Sequence, residues 1–273
     1  MSFKMVAVDV DWTLLDERGR IPGRVFKAFK KITSTGGYVV IATGRGMESA
    51  SEVFLENDYP LGRDGYPHAL TVGSHLFYLQ DGEYVPDEAW NVNVGKWWSE
   101  SRPLAKEIMD AIVPKLGGIE YERVWEDGLL FTSLEDAVQV QELIIQYMRK
   151  EGIDAVFLER NGWGVGLSDA RVGKGNCLDR IARKMGLKPE EIVAVGDSNN
   201  DRPMLDGQMG FFPACPANSD EEVKNMVSAR HGFVAKQNYG MGVAEIIESL
   251  FQDRGPLTFY AEDQELKEVE DVL

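Results

Sequence analysis

Two carboxylates one residue apart, Asp9 and Asp11, follow an apolar run near the start of the chain, and a hydroxyl follows them at Thr13. Three interpretations fit such a segment: a strand that ends in an aspartate-rich turn, a calcium-binding loop, or a magnesium-assisted phosphoryl-transfer site with an aspartate nucleophile. A calcium loop needs glycine at its sixth position and glutamate at its twelfth, where this chain has Leu14 and Arg20. The calcium loop is therefore excluded, and the rest of the chain decides between the other two.

Three more polar clusters occur later in the chain, each beside a predicted strand or helix end. They are Thr43-Gly44-Arg45, Lys174, and the run Gly-Asp-Ser-Asn-Asn-Asp at 196–201. With the first cluster they supply what phosphoryl transfer from an ester to a carboxylate requires. One carboxylate attacks, a second protonates the leaving oxygen, a hydroxyl and a lysine hold the phosphoryl oxygens, and a third carboxylate completes an oxygen-lined magnesium site.

The elements that must position these clusters are predicted from apolar periodicity. An apolar run that begins at Met5, a second at 38–42 and a third at 192–195 read as buried strands, and helical spacing is found at 24–35 and 47–56. Alternating strands and helices predict an α/β fold with a parallel, doubly wound sheet. Ligands of such sheets lie at the carboxyl ends of the strands, so we expect the polar clusters to meet there.

The middle of the chain has a different pattern. Hairpins are predicted around the turns 80–82, 127–128 and 161–162, and helices at 96–116 and 135–151. This mixture indicates an inserted α+β module at 75–168. The flanking segments 1–74 and 169–273 would form the α/β core, with an acidic, peripheral tail at 261–273.

Composition excludes several classes of function. The chain has 45 Asp and Glu residues against 29 Lys and Arg, a net charge of −16, which argues against nucleic acid as a partner. We find no apolar run of about 18 residues, so no membrane partner is expected. Cys177 and Cys215 are far apart and suggest neither a disulfide framework nor a metal clip. The chain starts directly with a core strand, without a signal-peptide pattern, and a cytoplasmic location is expected.

The four motifs in this order, together with the inserted module, resemble the haloacid dehalogenase-like (HAD) phosphatase superfamily. The similarity is to its Cof-like, sugar-phosphatase branch, in which a type IIB (C2B) α+β cap lies between the second and third motifs. This resemblance implies a Rossmann-like parallel-sheet core with a cap domain, an aspartyl-phosphate intermediate and Mg²⁺ as cofactor. It implies a phosphomonoester hydrolase that acts on a small phosphorylated metabolite, such as a sugar phosphate or related acid.

The resemblance also implies roles for individual residues. Asp9 would be the nucleophile and Asp11 the general acid and base, with Thr43 and Lys174 completing the catalytic set. The phosphoryl group would be bound by Asp11, Thr43, Gly44, Arg45 and Lys174. The metal would be held by Asp9, the backbone carbonyl of Asp11 and Asp197. The supporting residues would be Thr13, Ser198, Asn200 and Asp201.

Two segments depart from the family pattern. Gly73-Ser74-His75 stands where many relatives have Asn-Gly-Ala, and Cys215-Pro216-Ala217-Asn218 stands where Met-Gly-Asn-Ala is common. His75 is interpreted as either structural or in contact with substrate, and Trp97-Trp98 as either cap core or a sugar platform. Arg45 is interpreted as binding a substrate anion, capping a helix or facing solvent.

Two other functions are compatible with these motifs. A phosphomutase of the phosphomannomutase type has a similar core and cap, and would return the phosphoryl group to a sugar rather than release it. A non-catalytic ligand-binding member usually lacks the nucleophile or a metal carboxylate, whereas Asp9, Asp11 and Asp197 are all present here.

Overall fold

The computed structural model describes residues 3–125 and 127–251. In chain order the strands are β1 (Met5–Val8), β2 (Tyr38–Thr43), β3 (Ala69–Val72), β4 (His75–Gln80), β5 (Glu83–Pro86), β6 (Tyr121–Trp125), β7 (Gly128–Phe131), β8 (Val156–Asn161), β9 (Gly164–Asp169), β10 (Ile192–Val195), β11 (Phe212–Cys215) and β12 (Phe233–Val234). The α-helices are α1 (Gly23–Ser34), α2 (Met47–Glu56), α3 (Glu88–Ile112), α4 (Leu134–Glu151), α5 (Lys174–Lys184), α6 (Arg202–Leu205), α7 (Glu221–Ala229) and α8 (Tyr239–Leu250). The predicted acidic tail lies outside the described residues.

Within the described residues, the strands form two sheets. The larger sheet has the order β12-β11-β10-β1-β2-β3-β4-β5, and its strands from β12 to β3 are parallel. The smaller sheet has the order β6-β7-β9-β8 and is antiparallel. The predicted α/β fold is confirmed, and the parallel strands bring their carboxyl ends to one edge of the larger sheet.

The larger sheet is covered by helices on both faces, as its continuous apolar strands require. All four residues of β1 are fully buried, and they alternate between two apolar clusters. Val6 and Val8 pack in the cluster that contains residues of α1 and α8, whereas Met5 and Ala7 pack in the one that contains residues of α5. Burying a large apolar side chain contributes about 1.5–3 kcal/mol. This packing fixes the strand from which Asp9 and Asp11 emerge.

The hairpin β4–β5 was assigned to the inserted module at 75–168, but it pairs with the larger sheet. Strand β4 lies antiparallel to β3, with Val72 opposite His75, and β5 closes the edge. We therefore propose that the cap is the segment Glu88–Asp169, which contains α3, α4 and the smaller sheet around its own apolar cluster. The remaining described residues are called the core below.

Helix α3 begins at Glu88, two turns before the predicted start at Lys96. The side chain of Asp87 caps it by accepting a hydrogen bond from the backbone N–H of Trp90 at 3.2 Å. Pro103 lies inside this helix. None of the described helices is long and apolar enough to span a bilayer.

Candidate active site

Three buried carboxylates, Asp9, Asp197 and Asp201, converge at the carboxyl edge of the larger sheet. One oxygen from each lies within 4.8 Å of the others. The ammonium of Lys174 donates to Oδ1 of Asp9 and to Oδ1 of Asp201, both at 2.6 Å. These carboxylates are called the acidic cluster below. The structure therefore brings together three of the four motifs: the end of β1, the start of α5 and the loop after β10.

Local geometry explains how the loop after β10 holds its carboxylates. Oδ2 of Asp201 accepts hydrogen bonds from the backbone N–H groups of Asp197 at 2.9 Å and Ser198 at 3.2 Å. A Cβ on Gly196 would lie 2.4 Å from Cγ of Asp201, so only glycine allows this approach. Gly196 is therefore a structural requirement of this loop that the predicted site residues did not include, and its place within the motif was the signal available.

The loop after β1 is held from two sides. The hydroxyl of Thr13 donates to Oδ1 of Asp197 at 2.8 Å, which joins the first motif to the fourth. Trp12 adopts the left-handed backbone conformation at φ 60°, and its carbonyl accepts a hydrogen bond from Nδ2 of Asn218 at 2.8 Å. Asn218 in turn accepts from the backbone N–H of Tyr239 at 2.6 Å. The weakly matching Asn218 thus braces the loop that carries Asp9 and Thr13.

Asp11 is not a member of the acidic cluster and pairs with Arg45. The guanidinium donates through Nη2 to Oδ1 of Asp11 at 2.6 Å and through Nε to Oδ2 at 2.9 Å. Its Nη1 donates to the hydroxyl of Ser49 at 2.9 Å. The backbone N–H of Arg45 donates to the hydroxyl of the buried Thr43 at 3.1 Å. Sequence interpretation missed this pair, because 34 positions separate its members and neither motif specifies where its side chain points.

The acidic cluster is short of positive charge. Burial raises the pKa of Asp9 to about 7, and the charge of Asp201 adds to this effect while Lys174 opposes it. Burial also raises the pKa of Asp197, together with repulsion from Asp201 and Asp9. For Lys174, burial acts to lower the pKa, but the carboxylates of Asp201 and Asp9 outweigh it and raise the pKa. Among the described residues, Lys174 donates to two of the three carboxylates, and a set of carboxylate oxygens of this kind suits a hard divalent cation such as Mg²⁺.

A cleft of about 830 Å³ opens between this part of the core and the cap. Its core side is lined by Asp9, Asp11, Gly44, Arg45 and Asn200. Its cap side is lined by Trp98, Arg102 and residues of the smaller sheet, among them Asp127, Glu159 and Asn161. Ser198 donates to Oδ1 of Asn200 at 2.7 Å and so orients it. The cleft is thus lined by Asp9 and Asp11 from the core and by cap side chains from the opposite side.

His75, Trp97 and Trp98, which each had two interpretations, differ in whether they line the cleft. His75 is exposed, with Nδ1 3.0 Å from the carbonyl of Gly73, and it lies outside the described lining of the cleft. Trp97 packs edge-on against Trp90, with ring centroids 5.3 Å apart, whereas its neighbour Trp98 lines the cleft. The pair of tryptophans is therefore divided between packing and the cleft.

A buried arginine joins the cap to the residue that precedes α7. Arg160 of β8 is 2% exposed, and it donates to the carboxylate of Asp220 at 2.6 Å and to the side-chain oxygen of Gln141 at 2.5 Å. The backbone N–H of Asp220 donates to the carbonyl of Asp197 at 2.9 Å. Gln141 also donates to the carboxylate of Glu222 at 3.3 Å. The cap is thus linked through Asp220 to the backbone of Asp197, a residue of the acidic cluster.

The chain is similar to known phosphatases over almost its whole length. A family model described as Sucrose-6F-phosphate phosphohydrolase matches residues 3–250. A phosphoglycolate phosphatase of Thermoplasma volcanium is 26% identical over 247 residues, which cover 89% of this chain and 96% of that protein.

Solved structures share the fold. The sucrose-phosphatase from Synechocystis, in complex with sucrose and phosphate, superposes with a TM-score of 0.66 at 17% identity, covering 92% of this chain and 98% of that one. A haloacid dehalogenase-like hydrolase from Bacillus subtilis superposes with a TM-score of 0.59 at 20% identity, covering 91% of this chain and 100% of the other.

Proposed function

The chain belongs to the sucrose-6F-phosphate phosphohydrolase family and is a phosphatase of the haloacid dehalogenase-like superfamily, and we propose that it hydrolyses a small sugar phosphate through an aspartyl-phosphate formed on Asp9. The observation that carries this proposal is the acidic cluster. A buried carboxylate lies against the ammonium of Lys174 at the end of a cleft, with the second carboxylate of its motif, Asp11, facing the same cleft.

The reaction would proceed in two steps. An oxygen of Asp9 attacks phosphorus, and the bond from phosphorus to the leaving oxygen breaks while Asp11 gives that oxygen a proton. Water then attacks the aspartyl-phosphate, Asp11 takes its proton, and phosphate leaves with Asp9 restored. Lys174 offsets the charge of both the nucleophile and the phosphoryl oxygens, which matters because the net charge of −16 repels anions. Thr43 and the Gly44–Arg45 turn would hold the remaining phosphoryl oxygens.

A divalent cation fits the acidic cluster, and Mg²⁺ is the proposed cofactor. Asp201 is the least suited of the three as a direct ligand, because Lys174 and two backbone N–H groups already occupy its oxygens. Asp9, Asp197 and the backbone carbonyl of Asp11 would hold the ion, with Thr13 and Asp201 supporting them. Bound Mg²⁺ would offset the phosphoryl charge and orient the group toward Asp9.

The chemistry of the cap favours a sugar over an acid as the leaving group. Asp127 and Glu159 place carboxylates on the cap side of the cleft, and Asn161 adds an amide. Carboxylates accept hydrogen bonds from sugar hydroxyls, whereas they repel a second carboxylate. The alternative substrate is a phosphorylated acid, which Arg102 of the cleft could bind and which the name of the Thermoplasma relative suggests.

The test is release of phosphate, with Mg²⁺ present, from hexose phosphates, glycerol phosphate, phosphoglycolate and nitrophenyl phosphate. Asp9→Asn should remain folded and lose nearly all turnover, because an amide is a poor nucleophile. Asp11→Asn should lose roughly 10²–10⁴-fold on sugar phosphates, whose alkoxides need a proton, and much less on nitrophenyl phosphate. The exposed Asp154→Asn serves as the matched control.

Three outcomes would contradict parts of the proposal. Near wild-type turnover by folded Asp9→Asn would refute the covalent mechanism. Equal losses of Asp11→Asn on both classes of ester would refute its role as the acid. An isomeric sugar phosphate in place of free phosphate would identify a phosphomutase.

A further inference from the structure

Strand β9 of the smaller sheet presents two glycines to the cleft. Gly164 and Gly166 of β9 both line the cleft. Val165 and Leu167, which alternate with them, are 2% and 3% exposed and belong to the apolar cluster of the cap. Since successive residues of a strand face opposite sides, an added side chain at 164 or 166 would point into the cleft.

Neither backbone conformation nor packing explains these two glycines. Neither residue lies in the left-handed region of φ. A Cβ on Gly164 would find its nearest neighbour at 3.5 Å and one on Gly166 at 3.6 Å, which are ordinary contact distances. At Gly175 and Gly196 the corresponding distances are 2.3 and 2.4 Å, and glycine is there a necessity. Glycine inside a strand weakens it and often marks the close approach of a ligand.

The residues beside the two glycines have the chemistry of a sugar site. In the ladder between β8 and β9, Glu159 is opposite Gly166 and Asn161 is opposite Gly164. On the other side, Leu130 of β7 is opposite Gly164. Glu159, Asn161 and Leu130 all line the cleft. The two glycines of β9 are thus edged by hydrogen-bonding side chains on one side and by an apolar one on the other.

We propose that Gly164 and Gly166 determine specificity, because they leave the space in which the body of the leaving group lies against β9. The hydroxyls of that group then reach Glu159 and Asn161. This inference rests on the proposed phosphatase activity and adds to it a size requirement. Substituting either glycine should lower activity on substrates with large leaving groups more than on substrates with small ones, because the residues that carry out the phosphoryl chemistry are unchanged.

The test compares Gly164→Ala, Gly166→Ala and Gly166→Val with the wild-type protein. The substrates are acetyl phosphate, glycerol phosphate and a hexose 6-phosphate, which share the phosphoryl group and differ in the size of what leaves. For Gly166→Val, the ratio of kcat/KM on the hexose phosphate to kcat/KM on acetyl phosphate should fall by about tenfold or more, the scale at which pockets discriminate small apolar groups. The alanine variants should show a smaller fall in the same order. Gly95→Ala, an exposed position of α3 outside the cleft, should leave the ratio unchanged.

The outcomes separate this inference from the proposed function. Wild-type protein that releases phosphate from none of the three substrates would overturn the proposed function. Active wild-type protein with an unchanged ratio in folded Gly166→Val would overturn this inference alone. Loss of cooperative thermal unfolding in both Gly166 variants would show that packing requires the glycine, and would also overturn it.

Discussion

Replacing Lys174 with methionine removes the ammonium that donates to Asp9 and Asp201 of the acidic cluster while keeping most of the buried side-chain volume. The side chain of Lys174 is 10% exposed, and those of its partners Asp9 and Asp201 are 5% and 0% exposed. The variant therefore leaves carboxylates buried without their counter-charge. We expect both the stability of the fold and the turnover to fall.

The magnitude follows from the two contacts at 2.6 Å. Opposite unit charges about 4 Å apart attract by about 4 kcal/mol at an effective dielectric of 20, and desolvation of the ions cancels much of this. Removing one partner of a buried ion pair costs about 3–5 kcal/mol, because the other charge stays buried and unpaired. Lys174→Met should therefore lower the free energy of unfolding by about 3–5 kcal/mol.

The assay is urea unfolding at pH 7 with chelator present, so that no divalent cation substitutes for the ammonium. In Lys174→Met/Asp201→Asn one buried charge has been removed together with its partner. The double variant should be more stable than the sum of the single changes predicts, with a coupling of about 1–3 kcal/mol. Lys27→Met, on the exposed face of α1, is the control. Strict additivity of the two changes, or a Lys174→Met protein as stable as the control, would refute the claim that Lys174 neutralises buried carboxylates. Turnover should be low in both Lys174→Met and the double variant.

Two further predictions concern pH and metal. Burial acts to raise the pKa of Asp87, but hydrogen bonds from Arg180 and the charge of Lys184 outweigh burial and lower the pKa. Ionised Asp87 therefore stabilises the fold fully above the unfolded-state pKa of about 3.9. This stabilisation is lost as the pH falls through the lower pKa of the folded state. Asp87→Asn keeps a good helix cap and should lower the free energy of unfolding by about 1–2 kcal/mol at pH 7. Urea unfolding should show this difference shrinking below about pH 4, and a difference that stays constant with pH would contradict the stabilising role of ionised Asp87. Mg²⁺ at 100-fold its dissociation constant for the wild-type protein should stabilise that protein by about 2.7 kcal/mol in thermal unfolding. Equal stabilisation of Asp197→Asn at the same Mg²⁺ concentration would exclude Asp197 as a ligand.

The parallel part of the fold was predictable because its signals are local. Buried strands such as β1 and β10 are short apolar runs, and the helices between them show their buried face in the spacing of apolar residues. The placement of the hairpin β4–β5 was not predictable in the same way. A hairpin pattern identifies two strands that pair with each other, but it does not say which sheet they extend.

The start of α3 was missed for a different reason. The predicted start at Lys96 rested on apolar spacing, which does not mark the residue at which a helix begins. Asp87 was the better signal, because an aspartate can cap the first turn. Its cap lies beside Arg180 and Lys184 of α5, so α3 begins where its first turn contacts the core.

The convergence of Asp9, Lys174 and the loop after β10 followed from one rule, that parallel strands present their carboxyl ends at one edge. Side-chain pairs that depend on direction did not follow from it. Arg160 and Asp220 are 60 positions apart, and each is an ordinary charged residue in sequence. Their buried ion pair exists because the cap lies on the core, a contact that no local pattern reports.

The two carboxylates of the first motif illustrate what the fold adds to the sequence. Asp9 is buried against Lys174 and shares the acidic cluster, whereas the side chain of Asp11 is 27% exposed at the cleft and held by Arg45. A nucleophile needs a fixed position and a neutralising cation, and a general acid needs access to the leaving oxygen. Because environment rather than residue type separates these needs, the same amino acid can take both roles two positions apart. Arg45 pairs with Asp11 at the cleft while Lys174 pairs with Asp9 in the acidic cluster, so each carboxylate of the motif has a cation of its own.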